Sequence, residues 1–85
     1  MKKWSVVIIE RYAEDVKVYE ADSEEHAKAL CENLWKKDME TEKAEAAFPV
    51  DEEKSYCDDG YGRLYYKGQD EAIVYTIAEV EKAKE

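Results

Sequence analysis

Residues 4–35 read WSVVIIERYAEDVKVYEADSEEHAKALCENLW, and three periodicities follow one another in that stretch. Trp4 to Arg11 is a short β-branched run bounded by polar residues, which reads as a strand with Trp4, Val6 and Ile8 on one face and Ser5, Val7 and Ile9 on the other. Both faces are largely apolar, as expected of a central strand or of one covered on both sides. Tyr12 to Asp15 makes a short polar connection, and Val16 to Glu20 alternates in the manner of a half-buried strand, so the two runs predict a β-hairpin. The period then changes. Asp22 or Ser23 can cap a helix whose first turn holds Glu24 and Glu25, and if Asp22 is the cap, Glu25 completes a capping box. Ala27, Leu30, Cys31, Leu34 and Trp35 recur at the spacing of an amphipathic helix, with Lys28, Glu32, Lys36 and Lys37 at its sides.

Outward from this stretch the helix runs through Asp38. Met39 to Ala47 contains good helix formers that could extend it, whereas Thr41 interrupts and Pro49 stops whatever remains. Phe48-Pro49-Val50 is an apolar island of the kind that pins a connection onto a core. Ser55-Tyr56-Cys57 reads as a third strand, Asp58-Asp59-Gly60-Tyr61-Gly62 as a glycine turn, Arg63 to Lys67 as a fourth strand and Ala72 to Val80 as a long last one. Glu81 to Glu85 is a charged tail expected to fray. The order β-β-α-β-β-β predicts an α+β domain: an antiparallel sheet of four to five strands, its first and last strands central, with one helix packed on one face and the other face open or used.

At 85 residues the chain is expected to be a single domain, and 45% apolar residues with ten aromatics can sustain one core. No apolar run approaches the ~20 residues that a bilayer requires, and no signal-peptide hydrophobic region precedes Val6 to Ile9, so a cytoplasmic location is expected. Cys31 and Cys57 are then expected as free thiols, Cys31 on the apolar stripe of the helix.

Charge is the strongest functional signal. Thirteen Lys plus Arg oppose twenty-two Asp plus Glu, and between Ala21 and Glu53 eleven acids face four lysines, which supplies −7 of the net −9. Such a chain is a poor ligand for DNA, RNA or anionic lipid, all of the same sign, and a good one for a basic protein surface. Helix capping accounts for Asp22, Glu24 and Glu25. It does not account for Glu40, Glu42, Glu45, Asp51, Glu52, Glu53, Asp58 and Asp59, which are the candidate partner-binding residues, with Tyr61, Tyr65 and Tyr66 as candidate anchors through ion pairing and cation–π contact. Adjacent Tyr65 and Tyr66 must point to opposite faces of a strand, so one of them leaves the helix-packed core.

Enzymatic apparatus is not evident. His26, the single histidine, falls in the first helical turn, and the acids show no contrast of environment that would mark a general acid–base pair. Asp51-Glu52-Glu53 and Asp58-Asp59-Gly60 do not match a calcium-loop pattern, and the cysteines and histidine are not at zinc spacings, so no metal and no cofactor are expected.

The first strand ending in Glu10, the second ending in Glu20-Ala21 and the DSEE cap leading into an alanine-containing helix resemble the DpnD/PcfM-like family of small proteins from phages, plasmids and their bacterial hosts. That resemblance implies a mobile-element context. In size, acidity and lack of catalytic groups the chain is also similar to the anti-CRISPR proteins, which implies an inhibitor that masks a basic nucleic-acid-binding surface of a host effector. The alternative is a small accessory protein that self-associates as a homodimer through an exposed strand or the Tyr-bearing sheet face, its acidity serving solubility.

Overall fold

The computed structural model describes residues 3–45 and 49–80. Strands β1 (Lys3–Glu10) and β2 (Asp15–Ala21) form the hairpin, α1 (Glu24–Glu45) follows, and β3 (Tyr56–Asp58), β4 (Tyr61–Tyr65) and β5 (Glu71–Val80) complete an antiparallel sheet of order β2-β1-β5-β4-β3. The two most apolar strands, β1 and β5, pair in the middle, where both ladders are satisfied and the greatest apolar area leaves water.

Ser23 is the helix cap: its Oγ accepts the His26 N–H at 3.1 Å, while the His26 imidazole reaches back so that Nδ1 accepts the Asp22 N–H at 3.0 Å. The reciprocal pair satisfies two donors at the helix start, with His26 in the place that Glu or Gln takes in a capping box. The helix continues through Thr41, which is exposed, to Glu45; Ala46, Ala47 and Phe48 lie outside the described residues, as does the 81–85 tail. Val50, from the apolar island, is buried and bridges to Tyr66.

The core lies between α1 and one sheet face. Val6, Ile8, Ala21, Ala27, Cys31, Met39, Leu64, Ile73 and Tyr75 are buried there, with Trp4, Leu30, Leu34 and Trp35 packed against them. Fully burying an aliphatic side chain of this kind contributes roughly 1.5–3 kcal/mol.

Two expectations are corrected at the second hairpin. The reversal is Asp59-Gly60 alone, both with positive φ (50° and 85°), the two-residue turn that matches strand twist. Tyr61 and Gly62 are therefore strand, and β4 begins two residues earlier than expected and ends at Tyr65. Gly62 is needed for packing rather than for turning: a Cβ there would stand 3.2 Å from Tyr75 Cβ and 3.3 Å from both Cys57 Sγ and Trp35 Cδ1. A glycine inside a strand marks such a close approach.

Candidate functional site

The helix is fastened to the sheet by side chains one to two turns apart. Trp35 Nε1 donates to the Arg63 carbonyl at 3.2 Å, Tyr75 Oη donates to Asp38 Oδ2 at 2.6 Å, and Tyr66 Oη donates to Glu42 Oε2 at 2.8 Å. Burial, reinforced by the neighbouring carboxylate in each case, raises both phenol pKa values, that of Tyr66 to about 12 and that of Tyr75 further. Asp38 carried no signal in the sequence, because its partner is 37 residues away.

These contacts place part of the expected site inside the fold. Glu42 and Tyr66 bind each other, and the Tyr66 ring also stacks on Tyr12 with centroids 6.2 Å apart. Tyr61 and Tyr65 are on the other side of the sheet, opposite Thr76 and Glu71 in register, so the tyrosines do not form one cluster with the acids. Tyr65 and Tyr66 do take opposite faces.

The remaining acids form two groups at opposite ends of the helix. At one end Asp59 binds Lys28 at 2.7 Å, and Lys28 also pairs with Glu24 at 3.3 Å. Lys28 and Asp59, together with Glu25, Ala29, Glu32, Cys57, Asp58 and Gly60, line an open cleft of about 420 Å³. At the other end Lys43 binds Glu52 at 2.8 Å, which brings the 51–53 turn beside the last turns of α1, where Glu40 and Glu45 are exposed. Asp51 organises that turn, its Oδ1 accepting the Lys54 N–H at 3.2 Å and its carbonyl accepting the Ser55 hydroxyl at 2.7 Å. Asp51, Glu52 and Glu53 line a second depression, of about 310 Å³, with Val50 and Lys67. Lys28 and Lys43, which mark the two groups, are separated by fifteen residues of helix, about 22 Å at 1.5 Å per residue.

Each lysine pKa is raised, by hydrogen bonds to Asp59 and Glu24 for Lys28 and to Glu52 for Lys43. Glu25, Glu40, Glu45, Glu53 and Asp58 make no ion pair among the described residues. Glu42 and Glu45 also stand in the last helical turn, where the macrodipole is negative and a carboxylate is disfavoured. Glu25 and Glu32 are cleft residues that sequence reasoning gave to capping and to the helix side, since nothing local shows that the 57–60 segment returns against them.

Cys31 is buried and Cys57 half-buried, both free. Burial, then the neighbouring Cys31, pushes the Cys57 thiol up to about 12, and burial also raises Cys31. Among the described residues no group of three or more His, Cys, Asp or Glu is arranged to hold a metal ion, and no helix is long and apolar enough to cross a membrane.

Comparison with protein-family models, with curated proteins and with solved structures finds no match to this chain in any of the three.

Proposed function

We propose that the chain is a non-enzymatic binding module whose helix layer engages a basic, nucleic-acid-binding surface of another cytoplasmic protein, as a phage or mobile-element inhibitor of anti-CRISPR type would. The supporting observation is a pair of acid-lined depressions, one lined by Lys28 and the other by the turn that Lys43 holds through Glu52, these two lysines being about 22 Å apart along α1. Among the described residues Glu25 and Glu53, one in each depression, make no ion pair and can receive Lys or Arg side chains. α1 carries −3, residues 51–54 carry −2 and Asp59, bound to Lys28, adds −1, so the helix layer holds −6 of the net −9. The mobile-element context comes from the resemblance of the first hairpin and helix cap.

A tagged chain in a bacterial lysate should retain nucleic-acid-binding proteins at low salt, and these should be released both by duplex DNA and by about 0.5 M NaCl, since phosphate-like electrostatic contacts weaken steeply with salt. Glu25→Lys combined with Glu53→Lys, one in each depression, should abolish retention while leaving the circular dichroism spectrum unchanged. Retention indifferent to DNA, salt and charge reversal would refute the reading.

A further inference from the structure

We infer that the open face of the sheet is a homodimer interface, in which two copies pack sheet on sheet and their acidic helix layers point outward. The register gives the face as rows across the strands: Val16, Ile9, Val74, Arg63 and Tyr56 in one, and Val18, Val7, Thr76, Tyr61 and Asp58 in the next. Val18 is 62% exposed, Val16 58%, Tyr61 53%, Tyr56 47% and Ile9 39%, so most of the large apolar side chains left in solvent belong to this one face. β2 makes the arrangement pointed, because it turns Lys17 and Tyr19 toward the helix side and both valines away from it. Singly exposed apolar residues are ordinary, but a contiguous patch of them on a small domain marks a surface that is covered.

Charge and size select a second copy as the cover. Two chains of net charge −9 repel through their helix layers, whereas Lys3 and Arg63 nearly balance Glu20, Asp58 and Glu71 on the open face, leaving −1. Arg63 is further neutralised within the chain by Glu71 at 3.1 Å. Five strands about 4.8 Å apart, with a mean length of roughly 22 Å, give a footprint on the order of 500 Å² per chain. Two copies would thus bury about 1,000 Å², which reaches the lower bound of a specific interface. Aligned sheets at about 10 Å separation are a standard packing, and an isologous pair closes without leaving the patch open to polymerise. The result is a bivalent particle with four acidic depressions, although the dimer stands or falls independently of what those depressions bind.

Sedimentation velocity at about 100 µM, at low and high salt, tests this. The wild-type chain should sediment at twice its 9.9 kDa mass, with no weakening as salt rises, because apolar burial rather than ion pairing holds the copies together. Val18→Lys should raise the dimer dissociation constant at least about a hundredfold by placing a charge in the interface. Val16→Lys, on the same face, is the second variant. Both positions are exposed in the single chain, so helix and strand signals should persist. A monomeric wild type would overturn the inference and leave the face to a different protein, and a dimer that survives both substitutions would overturn it by locating self-association elsewhere.

Discussion

Replacing Tyr75 by Phe isolates the contact that ties the buried centre of the sheet to the helix. The ring is fully buried, and its hydroxyl donates to Asp38 Oδ2 at 2.6 Å, the short distance of a charge-assisted bond. Phe fills the same space, so no cavity forms and the loss is that of the hydrogen bond alone. Bonds to charged groups contribute about 1.5–3 kcal/mol. Asp38 is only half-buried and can recover water, so the expected loss is about 2 kcal/mol, or a fall in Tm of about 8–16 °C for a domain of this size. Asp38→Ala makes the complementary test, because it leaves the buried hydroxyl without an acceptor and should cost about 1–3 kcal/mol. The double variant should cost less than the sum of the singles, since each removes the same bond. Urea denaturation followed by circular dichroism at fixed protein concentration reads all three. A loss below about 0.5 kcal/mol for Tyr75→Phe, or strict additivity in the cycle, would refute the assignment.

Alkaline pH should unfold the chain through its phenols. The pKa of Tyr66 is raised from 10.0 to about 12 and that of Tyr75 is raised further, so the neutral forms favour the fold; their stabilisation is complete below pH 10 and is lost as pH rises toward 12. Phenolate absorbance from all seven tyrosines at pH 11 with an unchanged circular dichroism spectrum would contradict this. Gly62→Ala should cost about 1–3 kcal/mol in a denaturant titration, because the added methyl presses on Tyr75, Cys57 and Trp35. Gly68→Ala meets nothing within 4 Å and should cost only the roughly 1–2 kcal/mol of its positive φ, whereas Gly62 has no positive φ, so a Gly62→Ala chain as stable as the wild type would contradict the packing role. Cys57, held at about 12 chiefly by burial, should alkylate slowly with iodoacetamide at pH 8 and rapidly in urea, and equal rates would contradict its placement.

The element order was legible because each element announces itself locally. The β-branched run of β1, the acidic first turn of α1 and the apolar length of β5 each favour one state, and the two most apolar strands belong in the middle. What was not legible depends on segments meeting at long range. Gly62 reads as a turn residue because a packing gap beneath Trp35 leaves no local trace. Val16 and Val18 alternate as a half-buried strand does, yet alternation states only that they share a face, not which face the helix covers. The acids were legible as an excess and not as a site. Their division into two depressions follows from where residues 50–60 return against α1, and Glu42 was claimed by Tyr66 through a contact 24 residues distant.

The salt dependence of binding to the retained partner is the most direct test of the central claim. Titrations of the wild-type chain and of the Glu25→Lys, Glu53→Lys variant between about 50 and 200 mM salt should show affinity falling steeply for the former. The variant should bind weakly with a shallower slope. An affinity that does not change with salt, or a variant that binds as the wild type does, would contradict the account.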